Sequence, residues 1–173
     1  MATAITTWND ELYTRVPGAS TDQVDLEVRS TVREFFTKSG WWLEEIGPIN
    51  IVNGTDTYTL TPTAGVVMGL QMVWVENRAL PIVNVKPKLS PVSPTTPTLA
   101  YSPQPDQVQL FPTPSADITD GLKVMVRLNP SSDYSDIPDE VGTHFFDEIM
   151  DGVLGRMYGQ PKKPYSNPVM AQY

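Results

Sequence analysis

The chain has 173 residues, a hydrophobic content of 40%, no cysteine and a formal net charge of −8. This length suits one domain, or one domain with an inserted module, and the apolar content excludes bulk disorder. The lack of cysteine excludes disulfides and thiolate metal sites and suits folding in a reducing cytoplasm. No signal peptide is recognised at the N-terminus, and no apolar run approaches the roughly 18 residues of a membrane span, so the chain is not expected to fold in a membrane.

Two helices are predicted in the first 47 residues. A short one contains Trp8 and Leu12, with Thr7 as its cap. A longer one runs from about Thr21 to Ser39, where a capping-box pair starts it and a glycine follows its end. Its core stripe recurs at helical spacing and consists of Val24, Val28, Val32 and Phe35.

Residues 48–130 change to the pattern of short antiparallel strands. Asn53–Gly54 is typical of a tight turn and predicts a hairpin, and a second turn is expected at Glu76–Asn77–Arg78. A third hairpin pairs Leu99–Tyr101 with Val108–Phe111. The last strand alternates Leu122, Val124, Val126 and Leu128 with other residues. Together these segments predict a small sheet or sandwich.

A final helix is predicted over residues 138–158, with Asp136 near its cap and Pro138 in its first turn. Two apolar stripes run along it. The first is expected to pack on the 21–39 helix and consists of Val141, Phe145, Ile149 and Val153. The second is predicted to be a subunit interface and consists of Phe146, Met150, Leu154 and Met157.

The predicted fold class is therefore α+β. Residues 1–47 and 131–158 are expected to form a helical bundle, and residues 48–130 an inserted β module. Residues 159–173 are predicted to be an extended arm, because three prolines deny this stretch regular pairing. The arm is expected to be mobile in the free protein, so deleting residues 160–173 should leave the melting temperature nearly unchanged. The residues predicted to dock it on a partner are Lys162, Lys163, Pro164, Tyr165 and Val169.

Residues that could support catalysis or bind a cofactor are few. His144 is the only histidine, which leaves little for a histidine-based triad or a multi-histidine metal site. Asp147, Glu148 and Asp151 could meet across a helical turn, but acids on the exposed side of an amphipathic helix are commonplace. No catalytic residue, metal ligand or cofactor is predicted.

The order of several segments resembles the head-to-tail adaptor (connector) proteins of tailed bacteriophages. The segments are "W…LYTRVPGA", "REFFTKSGWW", "VQLFPTPS" and, most specifically, "IPDEVGTHFFDEIMDGVLGRMYGQPKKPYSNP". In that family an acidic helix entry, a helix ending in arginine and a proline-aromatic arm recur in this order. The similarity spans most of the chain.

The resemblance implies a structural virion protein and not an enzyme. Such adaptors form a ring, commonly of twelve copies, at the head–tail interface below the portal protein, after synthesis in the host cytoplasm. The ring extends the DNA channel and offers a platform to a tail nozzle or tube protein. DNA passes through without specific binding, so the isolated protein is not expected to bind duplex DNA. Four acids are expected to face the channel or solvent: Asp25, Glu27, Asp147 and Asp151.

Two other functions remain open on the sequence. A β-rich module that binds carbohydrate or a receptor could use Trp74, Tyr101 or the proline-rich loop, although the long C-terminal helix disfavours it. A small hydrolase could use carboxylates such as Asp147 and Asp151, although neither a nucleophile nor a base is evident.

Overall fold

The computed structural model describes residues 2–87, 96–132, 134 and 136–172. It divides the chain into two compact units. The terminal unit combines Met1–Ser39 with Pro130–Tyr173, and the central unit is Gly40–Asn129. The α-helices of the described residues are α1 (Asn9–Arg15), α2 (Thr21–Ser39), α3 (Asp139–His144) and α4 (Phe146–Tyr158). The strands there are β1 (Ala2–Ala4), β2 (Leu43–Ile51), β3 (Thr57–Thr59), β4 (Val66–Val75), β5 (Arg78–Leu80), β6 (Ile82–Val83), β7 (Leu99–Tyr101), β8 (Gln107–Phe111), β9 (Ile118–Asn129) and β10 (Asp136–Pro138).

The predicted helical bundle is wrong. The described residues contain two four-stranded sheets and four helices, of which only α2 is longer than 13 residues, so the protein is a mixed α/β fold. Three segments assigned to the bundle are paired strands: β1, the start of β2 and β10. β1 pairs antiparallel with β10, with Ala4 opposite Asp136, and β2 begins at Leu43.

α2 has the predicted bounds because its apolar spacing supplies one continuous buried face. Three predicted side chains of this face are fully buried, namely Val24, Val28 and Val32, and the fourth buried residue is Phe36 and not the predicted Phe35, which is half-buried. Ser20 Oγ accepts a 3.4 Å hydrogen bond from the Gln23 amide, the first half of the predicted capping box. Gly40 follows the helix with a φ of +59°, a conformation that glycine adopts without steric cost.

The predicted 138–158 helix is two helices, separated at Phe145. Phe145 has φ −123° and ψ 20°, which interrupts the helical ladder. The interruption lets neighbouring rings pack in different directions: the Phe145 ring lies 4.9 Å from Phe35, and the Phe146 ring lies 5.7 Å from Trp8. Asp136 belongs to β10 and does not cap α3, whose N-cap is Pro138.

The central unit consists of two sheets with strand orders β2-β9-β4-β5 and β3-β8-β7-β6. Neighbouring strands are antiparallel except for the parallel pair β6 and β7. Both sheets contribute to one hydrophobic core, in which β9 supplies the four predicted inward residues. The core residues are Ile51, Tyr58, Leu60, Val67, Val73, Val75, Leu80, Ala100, Val108, Leu110, Leu122, Val124, Val126 and Leu128.

Turns were easier to predict than strand partners. Glu76 and Asn77 have positive φ angles of 49° and 64° between β4 and β5, and β7 pairs with β8 as expected. The turn at Gly54, φ 77°, is also present, but the hairpin predicted across it is wrong. The strand before this turn pairs with β9, whereas the strand after it pairs with β8 in the other sheet.

The predicted extended arm is wrong as well. Residues after α4 form turns and a short 3-10 helix, Met170–Gln172, that packs on α4. The Asn167 amide donates to the Tyr158 carbonyl at 3.0 Å, and the Tyr165 side chain is buried. Prolines exclude regular strands from this segment but are compatible with turns, so the segment folds back. None of the helices in the described part of the chain is long and apolar enough to cross a membrane.

Candidate functional site

A polar network centred on Arg156 joins α4 to α2 in the terminal unit. Arg156 Nη1 donates to Ser30 Oγ at 2.6 Å and lies 3.8 Å from a carboxylate oxygen of Glu27. Arg156 Nη2 donates to Glu34. One guanidinium thus connects three α2 side chains, as its fixed fork of donors allows.

The network continues into the segment after α4. Gln160 Nε2 donates to Glu27 Oε1 at 2.9 Å, and the Tyr165 hydroxyl donates to Gln160 Oε1 at 3.0 Å. Hydrogen bonds from Lys38 and Arg156 to the Glu34 carboxylate hold the pKa of Glu34 below its ordinary value. These contacts make the network a structural clamp between helices.

Replacing Arg156 with leucine should lower the free energy of unfolding by about 1–3 kcal/mol, because Glu27, whose side chain is 17% exposed, loses its cation. A lowered pKa stabilises the fold above the ordinary value of 4.5, and this contribution disappears as pH falls. The difference between wild type and Arg156→Leu in urea unfolding should therefore shrink below that pH. Arg15→Leu removes an ion pair to Glu11 outside this network, at a side chain 47% exposed; it is the control and should change stability by less than about 0.5 kcal/mol. Equal effects of both substitutions would contradict the clamp.

A cleft of about 510 Å³ lies between α2 and α4 beside this clamp. Its apolar lining includes Phe35, Ile149 and Gly152, and its charged lining consists of two acids and two bases: Glu34, Glu148, Lys38 and Arg156. We call this cavity the helix cleft. It combines an apolar floor with charges of both signs. Lys38 and Arg156 pair with Glu34, whereas Glu148 makes no ion pair within the described residues, so an apolar side chain entering next to a basic one would meet Glu148.

Asp147, Glu148 and Asp151 form an acidic strip along α4. All three are exposed, and spacings of three and four residues place them on one side of the helix. None of them makes an ion pair with another side chain in the part of the chain that the structure describes. Glu148 also lines the helix cleft, so the two features form one surface.

The first sheet of the central unit has an apolar face that is open to solvent. On β9, Lys123, Met125 and Arg127 alternate with buried residues and so lie on the opposite face of the sheet. The register places their neighbours on this same face, which we call the outer sheet face: Leu43 opposite Arg127, Glu45 and Met72 opposite Met125, and Trp74 opposite Lys123.

Exposure distinguishes the outer sheet face from an ordinary solvated sheet. Leu43 is 45% exposed and Met72 is 46% exposed, while Met125 and Trp74 are half-buried. Lys123 Nζ lies 3.4 Å from Glu45 Oε1, so these two charges pair with each other. The face is therefore apolar at its centre and charged at its margin.

No protein-family model matches this chain, and no curated protein is significantly similar to it.

The residues predicted to form a subunit interface lie inside the terminal unit. Met150 and Met157 are 1% and 0% exposed, and Leu154 is also buried. Phe146 packs edge-on against Trp8. The N-terminal segment supplies the second partner that the double stripe indicated, so a contact with another copy has to use other residues.

The residues of the arm that were predicted to dock on a partner differ in their exposure. Lys162, Lys163 and Pro164 are exposed and Val169 is 66% exposed, whereas Tyr165 is 6% exposed. Partial burial and the nearby Glu27 carboxylate raise the pKa of Tyr165. Tyr165 thus anchors the segment to its own chain.

The four acids predicted to face a channel or solvent also differ among themselves. Asp147 and Asp151 are exposed, as members of the acidic strip. Asp25 accepts a 2.8 Å hydrogen bond from Asn9 Nδ2, and Glu27 belongs to the clamp, so both are partly buried and structural.

Residues with catalytic potential are not gathered in one place. His144 is exposed at the end of α3. Within the described ranges, no group of three histidine, cysteine or acidic side chains could hold a metal ion. The sequence analysis did not predict the outer sheet face, because its members come from three strands whose pairing the hairpin pattern did not predict. The alternation along β9 was the one signal that could have located it.

Proposed function

We propose that this chain is a structural virion protein, a head-to-tail adaptor that forms a ring below the portal, extends the DNA channel and provides a platform for the tail. The observation that carries the proposal is the outer sheet face. Apolar side chains grouped on an accessible sheet face are typical of an interaction surface. A subunit of a larger assembly needs such a surface, and an adaptor needs several.

Two further features support the proposal. The segment that most resembles adaptors, residues 137–168, contains the acidic strip and Arg156, the arginine near the end of α4 that clamps this helix to α2. The net charge of −8 disfavours adhesion of phosphates, so DNA could pass the assembled protein freely.

The proposal predicts that purified protein loads onto phage heads that carry a portal but lack this protein. The expected result in negative-stain images is an added ring at the portal vertex, because the adaptor docks on the portal. Heads without a portal are the control and should acquire no density. Failure to bind portal-bearing heads, or equal binding to both kinds of head, would contradict the adaptor function.

A further inference from the structure

We infer that the outer sheet face of one copy binds the acidic strip and helix cleft of a second copy. The contact would supply the subunit interface of the proposed ring, and in that respect it rests on the proposed function. The acidic strip then faces a neighbouring subunit, and not the wall of a DNA channel.

The apolar parts of the two surfaces match in kind. Met72 and Met125 lie side by side at the centre of the outer sheet face, and their unbranched, polarizable side chains adapt to irregular partners. The helix cleft offers an apolar floor at Phe35 and Ile149. A methionine from the sheet has the size and flexibility to enter a cavity of about 510 Å³.

The unpaired charges at the margins are opposite, since Lys38 and Arg156 of the helix cleft are already paired with Glu34. Arg127 makes no ion pair with the other described residues, and the acidic strip has three carboxylates that also lack one. Copies that each carry a net charge of −8 repel one another in most orientations. When Arg127 lies against the acidic strip, the local attraction between opposite charges opposes that repulsion. This attraction favours one relative orientation of the two copies.

The inferred contact is heterologous, because it joins two different surfaces. After one contact forms, the first copy still presents its acidic strip and the second copy still presents its outer sheet face, so addition can continue. A heterologous contact generates a closed ring when its rotation closes, which is the geometry the proposed function requires.

Sedimentation velocity over a concentration series tests the contact on the purified chain. Wild type should show a mass that rises with concentration. Met72→Asp places a charge in the apolar centre, and Arg127→Glu reverses the marginal charge, so each should weaken association by roughly tenfold or more. Val52→Asp is the matched control, since Val52 is an exposed apolar residue of the same unit at 49% exposure, and it should associate like wild type.

Charge reversal on the other surface provides the complementary test. Asp147→Lys combined with Asp151→Lys should also abolish self-association, whereas Asp10→Lys combined with Asp22→Lys, two exposed acids elsewhere in the terminal unit, should not. Mixing the Arg127→Glu protein with the Asp147→Lys/Asp151→Lys protein should restore association, because wild-type charges meet at one contact and reversed charges of both signs meet at the other.

Several results would overturn the inference. Wild type could stay monomeric up to about 100 μM. The Met72→Asp protein could associate like wild type while its circular dichroism spectrum shows that it is folded. The mixed charge variants could fail to associate. Loading onto heads is scored separately. Association through these surfaces without loading would reject the adaptor function alone, while Met72→Asp and Arg127→Glu proteins that build normal rings on heads would reject this contact alone.

Discussion

Replacing Trp8 with alanine is expected to lower the free energy of unfolding by about 3–5 kcal/mol, the usual cost of deleting a large buried aromatic side chain. Trp8 is 2% exposed, and its ring meets the Phe146 ring edge-on at 5.7 Å with an interplanar angle of 86°. The substitution leaves a cavity against the apolar stripe of α4 that also contains Met150 and Leu154. Urea unfolding followed by circular dichroism measures the loss.

Leu26→Ala is the control for this substitution. Leu26 lies on α2 and is 64% exposed, so its truncation should change stability by less than about 0.5 kcal/mol. If Trp8→Ala unfolded at the wild-type urea midpoint, the N-terminal segment would not cover α4, and the second stripe would again be available to another subunit.

Local patterns predicted the helices well where one face alone decides the structure. The bounds of α2 follow from the spacing of Val24, Val28 and Val32 and from Gly40 beyond its end. The interruption at Phe145 could not be predicted, because both stripes continue across it at helical spacing. What separates α3 from α4 is the tertiary packing of Phe145 and Phe146 against different parts of the chain.

The sequence patterns predicted the positions of several strands but not which strands pair with each other. Alternation along β9 identified its buried side correctly, because a period of two is a local property. The pairing of β2 with β9 joins residues far apart in sequence, such as Leu43 and Arg127, and no local signal specifies that choice. The outer sheet face depends on that pairing, so its set of residues could not be predicted from local sequence patterns.

Deleting residues 160–173 should lower the melting temperature by about 4–12 °C, since burial of one aromatic side chain contributes about 2–3 kcal/mol and each kcal/mol corresponds to roughly 2–4 °C in a protein of this size. This reverses the expectation from the sequence, in which the segment was a mobile arm. The difference is Tyr165, which is 6% exposed and donates its hydroxyl to Gln160.

Point substitutions separate the anchor from the rest of the segment. Tyr165→Ala should reproduce most of the loss caused by the deletion in differential scanning calorimetry, and Val169→Ala, at a residue 66% exposed, should cause almost none. The raised pKa of Tyr165 gives an independent test: the folded segment favours the neutral phenol, so its contribution is fully present below the ordinary value of 10.0 and is lost as pH rises above it. The stability difference between wild type and Tyr165→Phe should therefore change across that pH range. If the deletion protein had the melting temperature of wild type, residues 160–173 would not stabilise the fold, and the segment would be available to bind a partner.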